Sequence, residues 1–246
     1  IFIFFLLKKR LYVNISSSNG GFIMEYENKE ICKKCGGFCC KKSGCDYFVS
    51  DFGFITKGKI IEALETGNVS IVSAFMPSKL PNGEEGIMPF LYLRARNKDR
   101  DIVDLFSMKK ECSMLTETGC IYSLEERPGG GKNLIPGINH LKELDCKPYL
   151  NPVDEMLKWK PYQNLLIKIV KRYTGKNIKE ILEADVERVC FEFLTGQTDE
   201  VSPLELIDMR DTLKDIMPYF PESFKRAQNK ANAIKKLTIE KLQTNL

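Results

Sequence analysis

The residues of this sequence that are best suited to chemistry are its cysteines. Eight of the nine cysteines precede residue 150, and the chain has a single histidine, His140. Five of the eight lie in one short stretch with the pattern C-x2-C-x3-C-C-x4-C: Cys32, Cys35, Cys39, Cys40 and Cys45. The other three are Cys112, Cys120 and Cys146. Thiolates are the ligands that zinc and iron–sulfur centres prefer. The eight cysteines are therefore predicted to hold zinc or iron, the latter as an ion or in an iron–sulfur cluster.

Two other interpretations of these cysteines compete with metal ligation. A disulfide or redox framework is typical of short secreted chains, and no pattern of a secretory signal is recognisable here. Isolated buried thiols are the usual state of single cysteines, but five of them in one polar, lysine-containing segment do not resemble a core. Cys190, between Val189 and Phe191 in a helical pattern, is predicted to be an ordinary core residue.

The charge of the chain also favours a bound cation. Residues 1–23 carry three basic residues and no acidic one, so the net charge from Met24 onward is +1. Eight thiolates would bring this to −7, and two divalent ions would return it to −3. Repulsion at such a density raises thiol pKa values unless cations intervene. Five nearby basic residues either serve as such cations or form a solvated charged loop: Lys33, Lys34, Lys41, Lys42 and Arg127.

The organisation of the chain predicts an α+β fold. A small metal-stapled cysteine-rich domain over residues 24–150 is expected to precede an all-helical C-terminal domain over residues 151–246. Residues 1–23 are predicted to be translated leader or a disordered arm. Two glycine codons at positions 20 and 21 can spell a bacterial ribosome-binding site shortly before Met24, which makes Met24 the expected start.

Local signals predict several individual elements. In the first domain we expect a helix over Thr56–Thr66, a loop over Pro77–Pro89, and a strand over Phe90–Ala95 that pairs with Ile102–Ser107. In the second domain, capping residues and first-turn prolines indicate four helix starts. These starts lie at Asn151-Pro152, Asn177-Ile178, Ser202-Pro203 and Pro221.

Two catalytic motifs fail on inspection. The C-x3-C-x2-C pattern of enzymes that split S-adenosylmethionine would need a cysteine where Lys42 stands. A phosphate-binding loop ending at Lys132 would need Gly at 126 and Ser or Thr at 133, and these positions hold Glu126 and Asn133. The glycine run Gly129–Gly131 is therefore predicted to be a flexible loop.

At the cysteine motifs the sequence resembles a known family. The Cys32–Cys45 stretch is similar to the opening motif of the YkgJ-type cysteine-cluster proteins, which are regarded as zinc- or iron-chelating. Cys112–Leu115, Gly119–Tyr122 and Arg127-Pro128 are similar to that family's second half. The resemblance covers roughly residues 24–150 and implies a metal centre held by eight cysteines. In the family a cysteine follows Arg-Pro within a few residues, but here Cys146 arrives later, so either Cys146 or His140 completes the set.

These observations predict a cytoplasmic, intracellular metal-binding protein. A similar cysteine domain occurs in flagellin lysine N-methylases, so one alternative is an enzyme or enzyme component in protein lysine N-methylation. Another is a redox protein that uses an iron–sulfur cluster. The expected partners are a metal ion and a protein partner or protein substrate. The near-neutral charge gives no case for nucleic acid, and no apolar run is long enough to span a membrane.

Overall fold

The computed structural model describes residues 35–79, 83–107, 111–117, 119–123, 125–138, 146–197 and 203–244. Cys32, His140, Ser202 and the predicted leader and start at Met24 lie outside the described residues. The described part contains helices and antiparallel strand pairs, so the mixed α+β class is confirmed.

The described elements fall into two stretches of different character. Residues 38–148 carry short helices and paired strands: α1 (Phe38–Lys42), α2 (Lys57–Glu65), β1 (Val69–Lys79), β2 (Glu85–Ala95), β3 (Leu115–Thr116), β4 (Gly119–Cys120), α3 (Gly129–Lys132), β5 (Leu134–Ile135) and β6 (Lys147–Pro148). Residues 152–244 are helical: α4 (Pro152–Leu157), α5 (Gln163–Thr174), α6 (Ile178–Thr195), α7 (Pro203–Ile216) and α8 (Pro221–Thr244). Three 3-10 turns complete the described elements: Val49–Phe52, Lys160–Tyr162 and Met217–Tyr219.

The longest strands form one antiparallel hairpin, whose register runs from the pair Val69 and Ala95 to the pair Lys79 and Glu85. The predicted strand over Phe90–Ala95 is therefore present, but it is the end of the longer strand β2. The loop expected over Pro77–Pro89 is wrong, because most of these residues extend the two strands. Each strand of a two-stranded hairpin has an outer edge, where proline is tolerated.

Irregular backbone flanks both edges of the hairpin. On the β1 side, the Ile71 N–H donates to the carbonyl of Ile102 at 2.7 Å, and Ile71 and Val103 form a parallel bridge. Residues 102–107 therefore lie along β1, and their predicted pairing with β2 is wrong. On the β2 side, the Ala95 N–H donates to the carbonyl of Cys45 at 2.8 Å. The hairpin thus orders a cysteine-containing segment along one of its edges.

Helix starts in the second stretch follow the capping signals. The Asn151 side chain accepts a hydrogen bond from the Val153 N–H at 2.9 Å, with Pro152 in the first turn. Asn177 and Glu180 form a reciprocal capping box at the start of α6. Helices α7 and α8 begin at Pro203 and Pro221 as predicted. The helix predicted over Thr56–Thr66 is also present, as α2, with Thr56 as its N-cap.

The main hydrophobic core contains residues from both sides of position 150. Trp159 is completely buried and its indole N–H donates to the carbonyl of Tyr47 at 3.0 Å. The Gln163 side chain accepts from the Leu91 N–H at 2.9 Å and donates to the Leu91 carbonyl at 2.8 Å. These contacts attach the start of the helical stretch to β2 and to the segment after Cys45. The domain boundary near residue 150 stays a prediction.

The helices of the described residues include none that is both long and apolar enough to cross a bilayer.

Candidate metal centre

Four of the predicted ligand cysteines converge on a second, smaller core. Cys112 is buried there beside Ala95 and Met114. Half-buried side chains pack against these residues, namely Cys40, Cys45, Tyr47, Cys120 and Tyr122. We call Cys40, Cys45, Cys112 and Cys120 the inner cysteines. They come from two segments that are distant in sequence, residues 40–45 and residues 112–120, so the fold and not the local motif brings them together.

The first segment is held by a very short helix and by two backbone contacts. Helix α1 follows Gly37, which has the left-handed conformation with φ 76°, and it ends at the extended residue Ser43. The Cys112 N–H donates to the carbonyl of Cys40 at 2.7 Å, and the Ala95 N–H donates to that of Cys45. The backbones of three inner cysteines are thereby tied to one another or to β2.

The other two inner cysteines lie on adjoining backbone. Cys112 forms an antiparallel bridge with Asn97, just beyond the end of β2. Cys120 lies on β4 and pairs with Leu115 of β3, and the Ile121 N–H donates to the carbonyl of Met114 at 3.0 Å. This small hairpin turns the chain back so that Cys120 faces the same core as Cys112.

The glycine run Gly129–Gly131 has a packing role that the sequence did not reveal. It forms the short helix α3, so its prediction as a flexible loop is wrong. A β-carbon at Gly130 would lie 2.7 Å from the carbonyl oxygen of Asp46, and one at Gly131 would lie 3.2 Å from the sulfur of Cys45. The run therefore lets the chain approach the cysteine segment closely. The signal that could have revealed this is the run of three glycines itself, since it permits closer backbone approach than other residues.

Adjacent Cys39 and Cys40 have different environments. Their sulfur atoms are 3.9 Å apart, but Cys39 is exposed whereas Cys40 is half-buried among the inner cysteines. A hydrogen bond from the Cys40 thiol lowers the pKa of Cys39 to about 6, with a smaller contribution from the positive charge of Arg127. The same interaction, together with burial, raises the pKa of Cys40. The pair therefore favours one thiolate on the exposed side and one thiol on the buried side.

The environment of the inner cysteines opposes thiolate formation. Burial raises the pKa of Cys45, and the neighbouring Cys112, Asp46 and Cys120 raise it further. Burial also raises the pKa of Cys112, with added repulsion from Cys120 and Cys39. Thiolates at these positions would need a cation beside them, because a charged group in a poorly solvated environment is costly unless it is paired or bound to a metal.

A half-buried ion pair lies next to Cys45. The Arg94 Nε donates to Asp46 at 2.8 Å, and its terminal nitrogen donates to the Tyr92 hydroxyl at 2.6 Å. Both charged side chains are largely shielded from water. Since Asp46 follows Cys45 directly, the pair holds the backbone of the cysteine segment against β2.

Two further predicted ligands that the structure describes, Cys35 and Cys146, are not among the residues of this core. Cys35 is half-buried and its sulfur accepts a hydrogen bond from the Phe38 N–H at 3.3 Å. Cys146 is half-buried just before β6. Cys190 is buried in the main core, as expected for an ordinary core residue. His140, the alternative to Cys146 in the predicted ligand set, lies outside the described residues.

The cysteine side chains are suitable ligands for a metal that prefers thiolates. Their arrangement in the structure, however, is not that of a complete metal site. Among the residues that the structure describes, no group of three or more His, Cys, Asp or Glu side chains forms a cluster that could hold an ion as it stands. Zinc–sulfur bonds are about 2.3 Å long, so ligation requires the inner sulfur atoms to draw closer to one another. The four cysteines nevertheless belong to or pack against the same small core.

Comparison with known proteins identifies no relative. No family model, curated protein or solved structure matches this chain. The resemblance to the YkgJ-type proteins therefore stays a prediction from the motifs.

Proposed function

We propose that this protein binds zinc or iron through the thiolates of its cysteine cluster. The observation that carries the proposal is the convergence of the inner cysteines, Cys40, Cys45, Cys112 and Cys120, on one small core. Zinc and iron are favoured because thiolates are soft ligands, whereas calcium and magnesium take oxygen ligands.

The raised pKa values of the buried cysteines support a bound cation in the small core. Burial raises the pKa of Cys45 and of Cys112, so both are protonated thiols near neutral pH in the metal-free chain. Metal binding would displace those protons and be correspondingly pH-dependent. The bound cation would offset both the desolvation of the thiolates and their mutual repulsion.

The family resemblance adds to this proposal without defining a biological role. It implies a chelating domain of eight cysteines, of which the inner four are the best supported by packing. The alternatives of lysine N-methylation and iron–sulfur redox chemistry remain predictions, as do a protein partner and a cytoplasmic location. The identity of the bound metal would distinguish a closed structural zinc site from an iron–sulfur cluster with a redox role.

The test is the metal content and visible spectrum of the full chain purified without oxygen. We expect stoichiometric zinc in a colourless protein, or iron with acid-labile sulfide in a brown one. Cys112→Ser should lower the metal content, whereas Cys190→Ser, which alters a buried cysteine of the main core, should retain it. A folded wild-type chain that binds neither metal after reconstitution would overturn the proposal.

A further inference from the structure

The inner cysteines are grouped by packing, not by their order in the sequence. From this grouping we infer that Cys40, Cys45, Cys112 and Cys120 form one closed four-thiolate site for a single tetrahedral divalent ion, and that the adjacent Cys39 is not a ligand of it. This inference rests on the proposed function, because it assigns the ligands of the metal that the cluster would bind.

Burial separates the two adjacent cysteines. Consecutive residues of an α-helix point about 100° apart around its axis, and α1 directs Cys40 into the small core while Cys39 stays exposed. Structural metal sites are four-coordinate and closed, so the shielded thiol is the better ligand. Cys39 is nevertheless the strongest competitor, because its sulfur lies 3.9 Å from that of Cys40.

The backbone supports the same grouping. A hydrogen bond joins the Cys112 N–H to the Cys40 carbonyl, and another joins Cys45 to Ala95, which also belongs to the small core. A closing movement of the four sulfur atoms therefore occurs between segments that are already attached to one another. Cys35 and Cys146 do not pack in this core.

The chemical class of the ion follows from the ligands. Four thiolates with no oxygen donor suit zinc or ferrous iron in tetrahedral coordination. Such a site would carry a net charge of −2.

The test is thiol alkylation of the full chain, mapped by mass spectrometry with and without added zinc. In the wild-type chain, zinc should slow labelling of all four inner cysteines. The matched pair is Cys39→Ser and Cys40→Ser, which make the same change at adjacent positions. In Cys39→Ser, zinc should still protect the four inner cysteines. In Cys40→Ser, the zinc-dependent protection of Cys45, Cys112 and Cys120 should be lost together.

The outcomes separate this inference from the proposed function. If zinc binds but Cys39→Ser abolishes protection of the inner cysteines, or Cys40→Ser leaves it intact, the grouping is wrong and metal binding stands. If zinc neither binds nor protects any cysteine of the folded wild-type chain, both fail. The fluorescence of Trp159 reports folding, and should Cys40→Ser fail to fold, Cys120→Ser on the small β3–β4 hairpin is tested in its place with the same expected loss.

Discussion

Replacing Gly44 by alanine tests how the cysteine segment is held on the hairpin. Gly44 is buried between Cys40 and Cys45. A β-carbon at this position would lie 1.9 Å from the carbonyl oxygen of Ala95, whereas real contacts begin at about 3.0 Å. The obstacle is backbone of β2, so rotation of a side chain cannot relieve it. The segment must move away from the strand.

The magnitude follows from what that movement breaks. Inserting a methyl group into a well-packed site costs about 1–3 kcal/mol. The movement also strains two hydrogen bonds of 2.8 Å, from the Gly44 N–H to the Asn97 side chain and from the Ala95 N–H to the Cys45 carbonyl. Each contributes about 1 kcal/mol, so we expect Gly44→Ala to lower the free energy of unfolding by roughly 2–5 kcal/mol.

The assay is chemical denaturation followed by the fluorescence of Trp159, the single tryptophan of the chain, with zinc content measured in parallel. The matched control is Gly58→Ala in α2, where the nearest atom to the new β-carbon is 3.9 Å away. This change should stabilise the protein by about 0.4–1 kcal/mol, because alanine restricts the unfolded chain. If the free energy of unfolding of Gly44→Ala lies within about 0.5 kcal/mol of the wild-type value, the close approach of Gly44 to Ala95 is not a feature of the protein.

Three further predictions concern capping and titration. Asn177→Ala removes the N-cap of α6 and should lower the free energy of unfolding, measured by thermal or chemical denaturation, by about 0.5–2 kcal/mol. In the metal-free chain, alkylation of Cys39 should show a midpoint near pH 6, and a midpoint at or above the ordinary thiol value of about 8.5 would contradict the hydrogen bond from Cys40. Arg226 and Lys230 lower the pKa of Glu187, so its contribution to stability is present above the ordinary glutamate pKa and is lost as the pH falls through the lowered value. Glu187→Gln should reduce the loss of stability at acidic pH. An unchanged dependence of stability on pH would show that the ion pairs of Glu187 with Arg226 and Lys230, which join α6 to α8, do not form.

Helix starts were predictable because their signals are local. At Asn177, a capping residue and a glutamate three positions later satisfy each other's backbone donors, and the structure contains both hydrogen bonds. At Pro221, the fixed φ of proline favours the first turn of a helix. Neither case depends on the rest of the fold.

The hairpin was harder to predict because its decisive contacts are distant in sequence. Pro77 and Pro89 marked a loop by their type, yet they lie within paired strands toward the end of the hairpin where Lys79 pairs with Glu85. The first half of β1 is buried almost continuously, so it lacks the alternation that identifies a half-exposed strand. Its partners are β2 on one edge and the irregular residues 102–107 on the other, and no local pattern encodes that choice.

The sequence predicted that cysteines would be the ligands of the candidate site, but it did not predict which of them pack together. Spacing placed Cys39 and Cys40 in one motif, whereas the fold leaves one exposed and packs the other beside Cys112 and Cys120. The glycine run near Cys45 looked like a loop because its role depends on a surface formed by other segments. Tertiary contacts determine both the different exposure of Cys39 and Cys40 and the packing of the glycine run.

The position of the small core suggests how far metal binding and folding depend on each other. The backbone beyond Cys45 is held from the opposite side by the indole of Trp159, which donates to the Tyr47 carbonyl, and by the packing of the helical stretch on β2. That attachment involves none of the inner cysteines, so we expect it to persist when their thiols are protonated. Metal loss should therefore loosen α1, residues 43–45 and the β3–β4 hairpin, while the main core remains folded. Coupling of metal binding to folding would then be confined to the small core and the segments that form it.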